Sequence, residues 1–263
     1  MIRMFGITGL SNSVAIHVHN FTPYFYVKID QRFASQFGPD DLQAIKEQLN
    51  KWVQGSSNNG HEGGYGQSTA VKAVELVKDK ASVMHYQGEK ATFIKIYTGL
   101  PRYVNQLRTL FENGSFTYPK GQDGTFESVT YESNLPYALR FMIDNEIVGM
   151  SWIRIKAGKY RPRLSSDKLC NTQYEIDVED FNDVECLPCE GEYSKIAPLR
   201  ILSFDIECSA DKGRFPQAQS DPIIQIANIV KVHGESEPLV RNVFTLDTCA
   251  PIVGSQVNCF KSE

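Results

Sequence analysis

The sequence predicts an α+β protein, in which a mixed helix-and-strand N-terminal region is followed by a run of antiparallel strands. Three observations carry this. Several short segments alternate apolar and polar residues with the two-residue period of a strand, two longer segments repeat apolar residues at helical spacing, and much of the chain after Pro198 is strand-like. At 263 residues the chain can form two ordinary domains or one large one. Its composition, 41% hydrophobic and 22% charged, is that of a globular protein rather than a disordered chain.

Taken in order, Ser13 to His19 alternates as a strand and places His17 and His19 on one face; Tyr24 to Val27 continues the β-rich character. With no carboxylate or thiol near them in sequence, the two histidines read as a solvent-facing or hydrogen-bonded pair rather than a metal site. Pro39 to Val53 reads as a surface helix with Leu42, Ile45, Leu49, Trp52 and Val53 on one face and Asp40 and Asp41 at its positive end. The glycine-rich run from Gly55 to Ser68 reads as a surface loop, not a phosphate cradle, because a helix precedes it and a strand follows. Val71 to Lys78 and Ala91 to Thr98 read as strands. Pro101 to Phe111 reads as a helix with Val104, Leu107, Leu110 and Phe111 inward. The order strand, helix, strand, strand, helix, strand suggests a small α+β sandwich. A further helix follows, with Asn134 as N-cap and Pro136 in its first turn.

Trp152 to Lys156 alternates again, so Trp152, Arg154 and Lys156 share one face of a strand. Six basic residues lie between Arg154 and Lys168, and eight acids with no base lie between Glu175 and Glu192, although the net charge is only −4. An aromatic flanked by cations suits single-stranded nucleic acid. The alternative is a solvated β face carrying a half-buried Trp. The acidic stretch, with Pro188 and Gly191, reads as a boundary between a domain over 1–192 and another over 193–263. Six scattered cysteines suit reduced thiols, and Cys186-Leu-Pro-Cys189 lacks two further ligands for zinc. No apolar run approaches the length of a membrane span, and the first residues lack a signal-peptide core, so the chain reads as intracellular.

Leu199 to Cys208, Pro222 to His233 and Leu239 to Asp247 read as three antiparallel strands. In the first, alternation puts Asp205 and Glu207 on one face, their Cα atoms some 6–7 Å apart, with Phe204, Ile206 and Cys208 on the other. Two carboxylates side by side suit a hard divalent cation such as Mg²⁺, and paired ions of this kind serve phosphodiester hydrolysis. The alternative is an edge strand with two exposed acids.

The residues Ala197-Pro-Leu-Arg-Ile-Leu-Ser-Phe-Asp-Ile-Glu-Cys208, Lys212-Gly-Arg-Phe-Pro216 and Asp221-Pro-Ile-Ile-Gln-Ile-Ala227 resemble the first exonuclease motif of eukaryotic replicative B-family DNA polymerases of the delta type. Arg3-Met-Phe-Gly6, Pro23-Tyr-Phe-Tyr26, Tyr131-Glu-Ser-Asn134, Leu139-Arg-Phe-Met-Ile-Asp144 and Ala157-Gly-Lys-Tyr160 are similar to that family's N-terminal region. The resemblance implies OB-like and RNA-binding-like subdomains, then the first strands of an incomplete ribonuclease-H-like 3′→5′ proofreading domain. In that domain Asp205 and Glu207 bind two catalytic Mg²⁺ ions, and Phe215 matches an aromatic near the primer terminus. It further implies DNA, the rest of the polymerase chain, accessory subunits and a sliding clamp as partners, with no membrane, and the nucleus as location. Family members need two further aspartates downstream, so this piece alone is expected to be inactive. It also starts without the longer basic leader of many relatives. Two other readings stand beside this one: a non-catalytic single-strand-binding module over residues 1–190, and a stand-alone ribonuclease-H-like exonuclease, which the late position of the two acids disfavours.

Overall fold

The structure, a computed structural model, describes residues 1–35, 37–56, 69–81, 90–116, 126–211 and 213–262. The glycine-rich run beyond Ser56 and the connection through Gly88 lie outside the described residues. The first half of the chain contains β1 (Ile2–Ile7), β2 (Ser13–Val18), β3 (Tyr24–Ile29), α1 (Gln31–Ala34), α2 (Pro39–Ser56), β4 (Val71–Lys80), β5 (Ala91–Thr98), α3 (Pro101–Glu112) and β6 (Phe126–Tyr131). There follow α4 (Tyr137–Asp144), β7 (Ile153–Ile155), β8 (Arg161–Pro162), β9 (Tyr174–Val178), β10 (Val184–Cys186), β11 (Arg200–Cys208), β12 (Ile223–Val232), β13 (Val240–Leu246) and β14 (Gln256–Phe260). The chain divides into two compact units. One comprises Met1–Ile2, Val18–Val148 and Glu179–Glu185, the other Arg3–His17, Gly149–Val178 and Cys186–Glu263.

In the first unit the sheet order is β4-β5-β3-β6, and the pairings of β3 with β5 and β6 and of β4 with β5 are all antiparallel. Together with α2 and α3 this is a βαββαβ arrangement. Alternation along β3 and β5 decides which residues meet the helices: Phe25, Val27, Ile29, Ile94 and Ile96 pack with Ile45, Leu49, Leu107, Leu110 and Phe111. The helical spacing of α2 and α3 therefore corresponds to their buried stripes.

The other face of this sheet is aromatic and charged. Tyr24, Tyr26, Phe93 and Tyr131 form a second buried cluster. The Lys95 ammonium lies 3.8 Å from the centroid of the Tyr24 ring and 4.6 Å from that of Tyr97, in cation–π contact. The α4 residues Arg140 and Asp144 join this face: Tyr24 Oη donates to Asp144 at 2.6 and 2.8 Å, and Arg140 donates to Glu132 and to Tyr24 Oη. Burial pushes the Tyr26 hydroxyl up to about 12. An RNA-binding module of this topology stacks bases on exposed aromatics of the two central strands. Here Tyr24, Tyr26 and Phe93 are enclosed instead.

One local expectation is corrected. The N-cap of α4 is Pro136, not Asn134. Pro136 is extended (φ −55°, ψ 140°) and its carbonyl accepts from Arg140 N–H, so the helix starts one residue after the proline and Asn134 lies in the preceding turn.

In the second unit one sheet runs β1-β2-β9-β8 and another runs β11-β12-β13-β14. The acidic stretch contributes β9, where Glu175 and Asp177 are buried. The three C-terminal strands foreseen in the sequence are present, with β11–β12 and β12–β13 antiparallel. A fourth, β14, lies parallel to β13. Its five residues, Gln-Val-Asn-Cys-Phe, are too few and too polar to stand out by periodicity alone.

Candidate active site

β11 is an edge strand, and every residue from Arg200 to Glu207 is exposed. Its apolar content suggests a buried strand, and the structure corrects this: Leu202 is 56% and Phe204 60% exposed. Burial requires a covering layer, and within its own unit this sheet has no α-helix among the described residues. The exposed apolar residues of 199–263 are the patch that strands of this composition leave when nothing lies on them. At one end of the sheet Ile224, Ile226, Phe244, Leu246 and Phe260 line an open cleft of about 360 Å³.

The register fixes the surroundings of the two acids. Asp205 stands opposite Ala227 and Glu207 opposite Gln225, with a bulge directly after Glu207. Alternation puts both carboxylates on the face shared with Ser203, and Phe204 and Ile206 on the other. A methyl group and a neutral amide are thus the cross-strand neighbours, and neither acid forms an ion pair among the described residues. Asp205 Oδ1 accepts from the N–H of Ile206 at 3.0 Å. Two unpaired carboxylates beside a small residue suit a hydrated hard cation, which takes oxygen ligands and keeps part of its water shell.

The other candidate residues lie apart from this pair in sequence and differ in exposure. Phe215, in the loop between β11 and β12, is 84% exposed. Trp152 is half-buried, its Nε1–H donates to the carbonyl of Lys195 at 2.8 Å, and its ring packs 6.4 Å from Tyr193. Arg154 and Lys156 are exposed, and an Arg154 Nη lies 3.5 Å from the Tyr193 hydroxyl. The basic strip is partly internal: Arg163 makes a bidentate pair with Asp177 at 2.7 and 2.9 Å, and Lys168 Nζ donates to the carbonyls of Thr172 and Gln173.

His17 is fully buried, and its Nε2 lies 2.6 Å from Glu175 Oε1. Cys170 brings a thiol into the same group, with ligand atoms of all three residues within 4.8 Å of one another. Glu175 is already matched, however. It accepts from the N–H groups of Leu169 and Cys170 and has the Arg163 guanidinium 3.8 Å away, so its charge is compensated without a metal. The hydrogen-bonded reading of His17 is the one the geometry fits, with Glu175 rather than His19 as partner.

Burial raises the Glu175 pKa, but the Leu169, His17 and Cys170 hydrogen bonds outweigh it and hold the carboxyl below its ordinary 4.5. A depressed folded-state pKa gives stability that is complete above the unfolded value and lost as pH falls through the folded one. Thermal melting followed from pH 6 to pH 3 should therefore show a steeper loss below pH 4.5 in the native chain than in Glu175→Gln. Parallel curves would show that Glu175 does not carry this dependence.

A strand-borne Asp-x-Glu pair suits a hydrated divalent cation, and sequence comparison places the chain in a family. The model of the DNA polymerase family B exonuclease domain matches residues 128–263, just over half the chain, and the chain belongs to the family B DNA polymerases. Within that family the likeness is to the delta type: the model of the delta catalytic subunit-like N-terminal domain matches residues 20–105. Over its whole length the chain is 42% identical to the DNA polymerase delta catalytic subunit of Arabidopsis thaliana, 41% to that of Schizosaccharomyces pombe and 40% to that of Drosophila melanogaster. It spans 22–23% of these relatives' length. Among solved structures, the family B DNA polymerase of the hyperthermophilic archaeon Pyrobaculum calidifontis superposes with a TM-score of 0.58 at 25% identity, covering 93% of this chain and 24% of the other.

Proposed function

We propose that Asp205 and Glu207 are metal-binding residues of a 3′→5′ proofreading exonuclease within a delta-type replicative DNA polymerase. The observation that carries this is the pair itself: two exposed carboxylates on one face of β11, opposite Ala227 and Gln225, within the segment that the exonuclease-domain model matches. Mg²⁺ is the cation that suits an all-oxygen donor set with open positions. When bound it stabilises charge on the attacking and leaving oxygens of the phosphodiester. Asp205 and Glu207 would hold it as anionic ligands, leaving its other positions to water, DNA and other parts of the polymerase chain.

In the whole protein this implies template-directed DNA synthesis with proofreading, a nuclear location, and accessory subunits with a sliding clamp as partners. The βαββαβ unit supports the RNA-binding-like part of the N-terminal assignment, and the small β1-β2-β9-β8 sheet is the candidate for the OB-like part. Nucleic-acid contacts are proposed for Phe215, Trp152, Arg154 and Lys156. The exposure of Phe215 supports its share most directly, whereas the hydrogen-bonded indole edge leaves Trp152 only ring area for stacking.

The metal assignment is tested with Fe²⁺ in place of Mg²⁺ on the full-length chain. Fe²⁺ with ascorbate and peroxide should cleave the backbone near residues 205–207, Mg²⁺ should compete, and Asp205→Ala/Glu207→Ala should remove the cut. Cleavage that persists in the double variant would overturn the assignment.

A further inference from the structure

The loop from β11 to β12 is organised by one carboxylate. Asp221, with a side chain only 7% exposed, accepts from Arg214 Nη2 at 2.7 Å and from the backbone N–H of Gln217 at 2.7 Å. The N–H groups of Asp221 and Ser220 both donate to the carbonyl of Gln217, and the Ser209 N–H donates to the Pro222 carbonyl at 2.9 Å. That last bond closes the loop's base two residues beyond Glu207. Gly213 supplies the left-handed turn before Arg214, with φ +86°. The Gln217 N–H, foremost, and the Arg214 guanidinium hold the Asp221 carboxyl below its ordinary 3.8.

Phe215 sits between the two anchored residues of this clasp and is 84% exposed, whereas the Asp221 carboxylate that anchors both neighbours is largely buried. A phenyl ring stabilises a fold by being buried, and this one is held outward by a network of charge-assisted and backbone hydrogen bonds. A ring fixed in that manner is pre-organised for a flat apolar partner. At the end of the strand that carries Asp205 and Glu207, the flat partner available is a nucleobase.

We infer that Asp221 is a positioning residue: by fixing Arg214 and the Gln217 amide it holds Phe215 outward, so that the ring stacks on a terminal base of the DNA strand whose end enters the site. This rests on the nuclease reading of Asp205 and Glu207, but it is tested without the metal. The full-length protein in EDTA is titrated into an oligonucleotide bearing 2-aminopurine at its 3′ end, and the fluorescence quench reports stacking.

Phe215→Ala should weaken binding by roughly 5-fold or more, the range expected for one lost base–aromatic stack, and should remove most of the quench. Asp221→Ala should reproduce the loss of quench, and Phe215→Ala/Asp221→Ala should bind no more than about 2-fold more weakly than Phe215→Ala, because the clasp acts only through the ring. Multiplying effects, or a native quench in Asp221→Ala, would overturn the proposal. Should Asp221→Ala fail to fold, Arg214→Ala removes one arm of the clasp and should lower the quench in the same direction; a native quench in that variant would equally overturn it. Since no metal is present, failure here leaves the Asp205 and Glu207 assignment to be decided by the Fe²⁺ cleavage.

Discussion

Replacing Asp205 or Glu207 with alanine in the full-length chain should lower 3′→5′ hydrolysis of a DNA end by on the order of 10³-fold, with primer extension by the same preparation confirming a folded enzyme. The magnitude follows from the role assigned. A cation held by these two carboxylates supplies several kcal/mol of transition-state charge stabilisation, and each ~1.4 kcal/mol corresponds to a factor of ten in rate. With both acids assigned to the same ion in the proposed role, their effects should not multiply: the double variant should be about as slow as the slower single variant. Asp205→Asn, which keeps the shape and the neutral hydrogen-bonding capacity but removes the anion, should lose nearly as much as Asp205→Ala. Single-turnover hydrolysis of a 3′-labelled strand measures all four. Retention of more than about a tenth of native activity by Asp205→Asn would show that the carboxylate charge is not what the reaction uses.

The second large effect is on stability. Glu132 is fully buried, pairs with Arg140 and lies 3.2 Å from Lys80 Nζ, while Arg140 itself is 5% exposed at its side chain. Removing the carboxylate leaves a buried guanidinium whose partners among the described residues are the Tyr24 hydroxyl and, at 3.4 Å, Asp144. Breaking a buried pair from one side costs about 3–5 kcal/mol. For a unit of this size that lowers Tm by roughly 6–20 °C. Glu132→Ala should show this loss by calorimetry, in the transition belonging to the βαββαβ unit. Glu132→Gln, which still accepts a hydrogen bond from Arg140, should lose less. Since Glu132 also has a positive φ of 59°, a non-glycine residue there is strained whichever side chain it carries; the strain is common to both variants and cancels in the comparison.

How much of this was legible in the sequence can be seen element by element. The strand at 91–98 and the helix from Pro101 emerge with their foreseen beginnings, because alternation and the 3.6-residue period are properties of the neighbouring residues alone. The shared face of Asp205 and Glu207 is legible for the same reason. Phe215 was reached by resemblance to a family motif, and its exposure was not foreseen, since an isolated loop phenylalanine is more often buried. The Asp221 clasp carries only a weak local signal, a carboxylate four residues after Gln217 and seven after Arg214.

By itself, then, the sequence determined the order and period of the main elements, the polarity of a basic strip followed by an acidic one, and the placing of two carboxylates on one side of β11. Only the tertiary structure decided what those features meet. It set Glu175 against His17 across 158 residues and paired Arg163 of the basic strip with Asp177 of the acidic one. It also closed the aromatic face of the βαββαβ unit and left β11 at an exposed edge. Periodicity is a local steric property of the backbone, whereas burial and charge pairing depend on which distant segment arrives to exclude water, and no short window of sequence contains that segment.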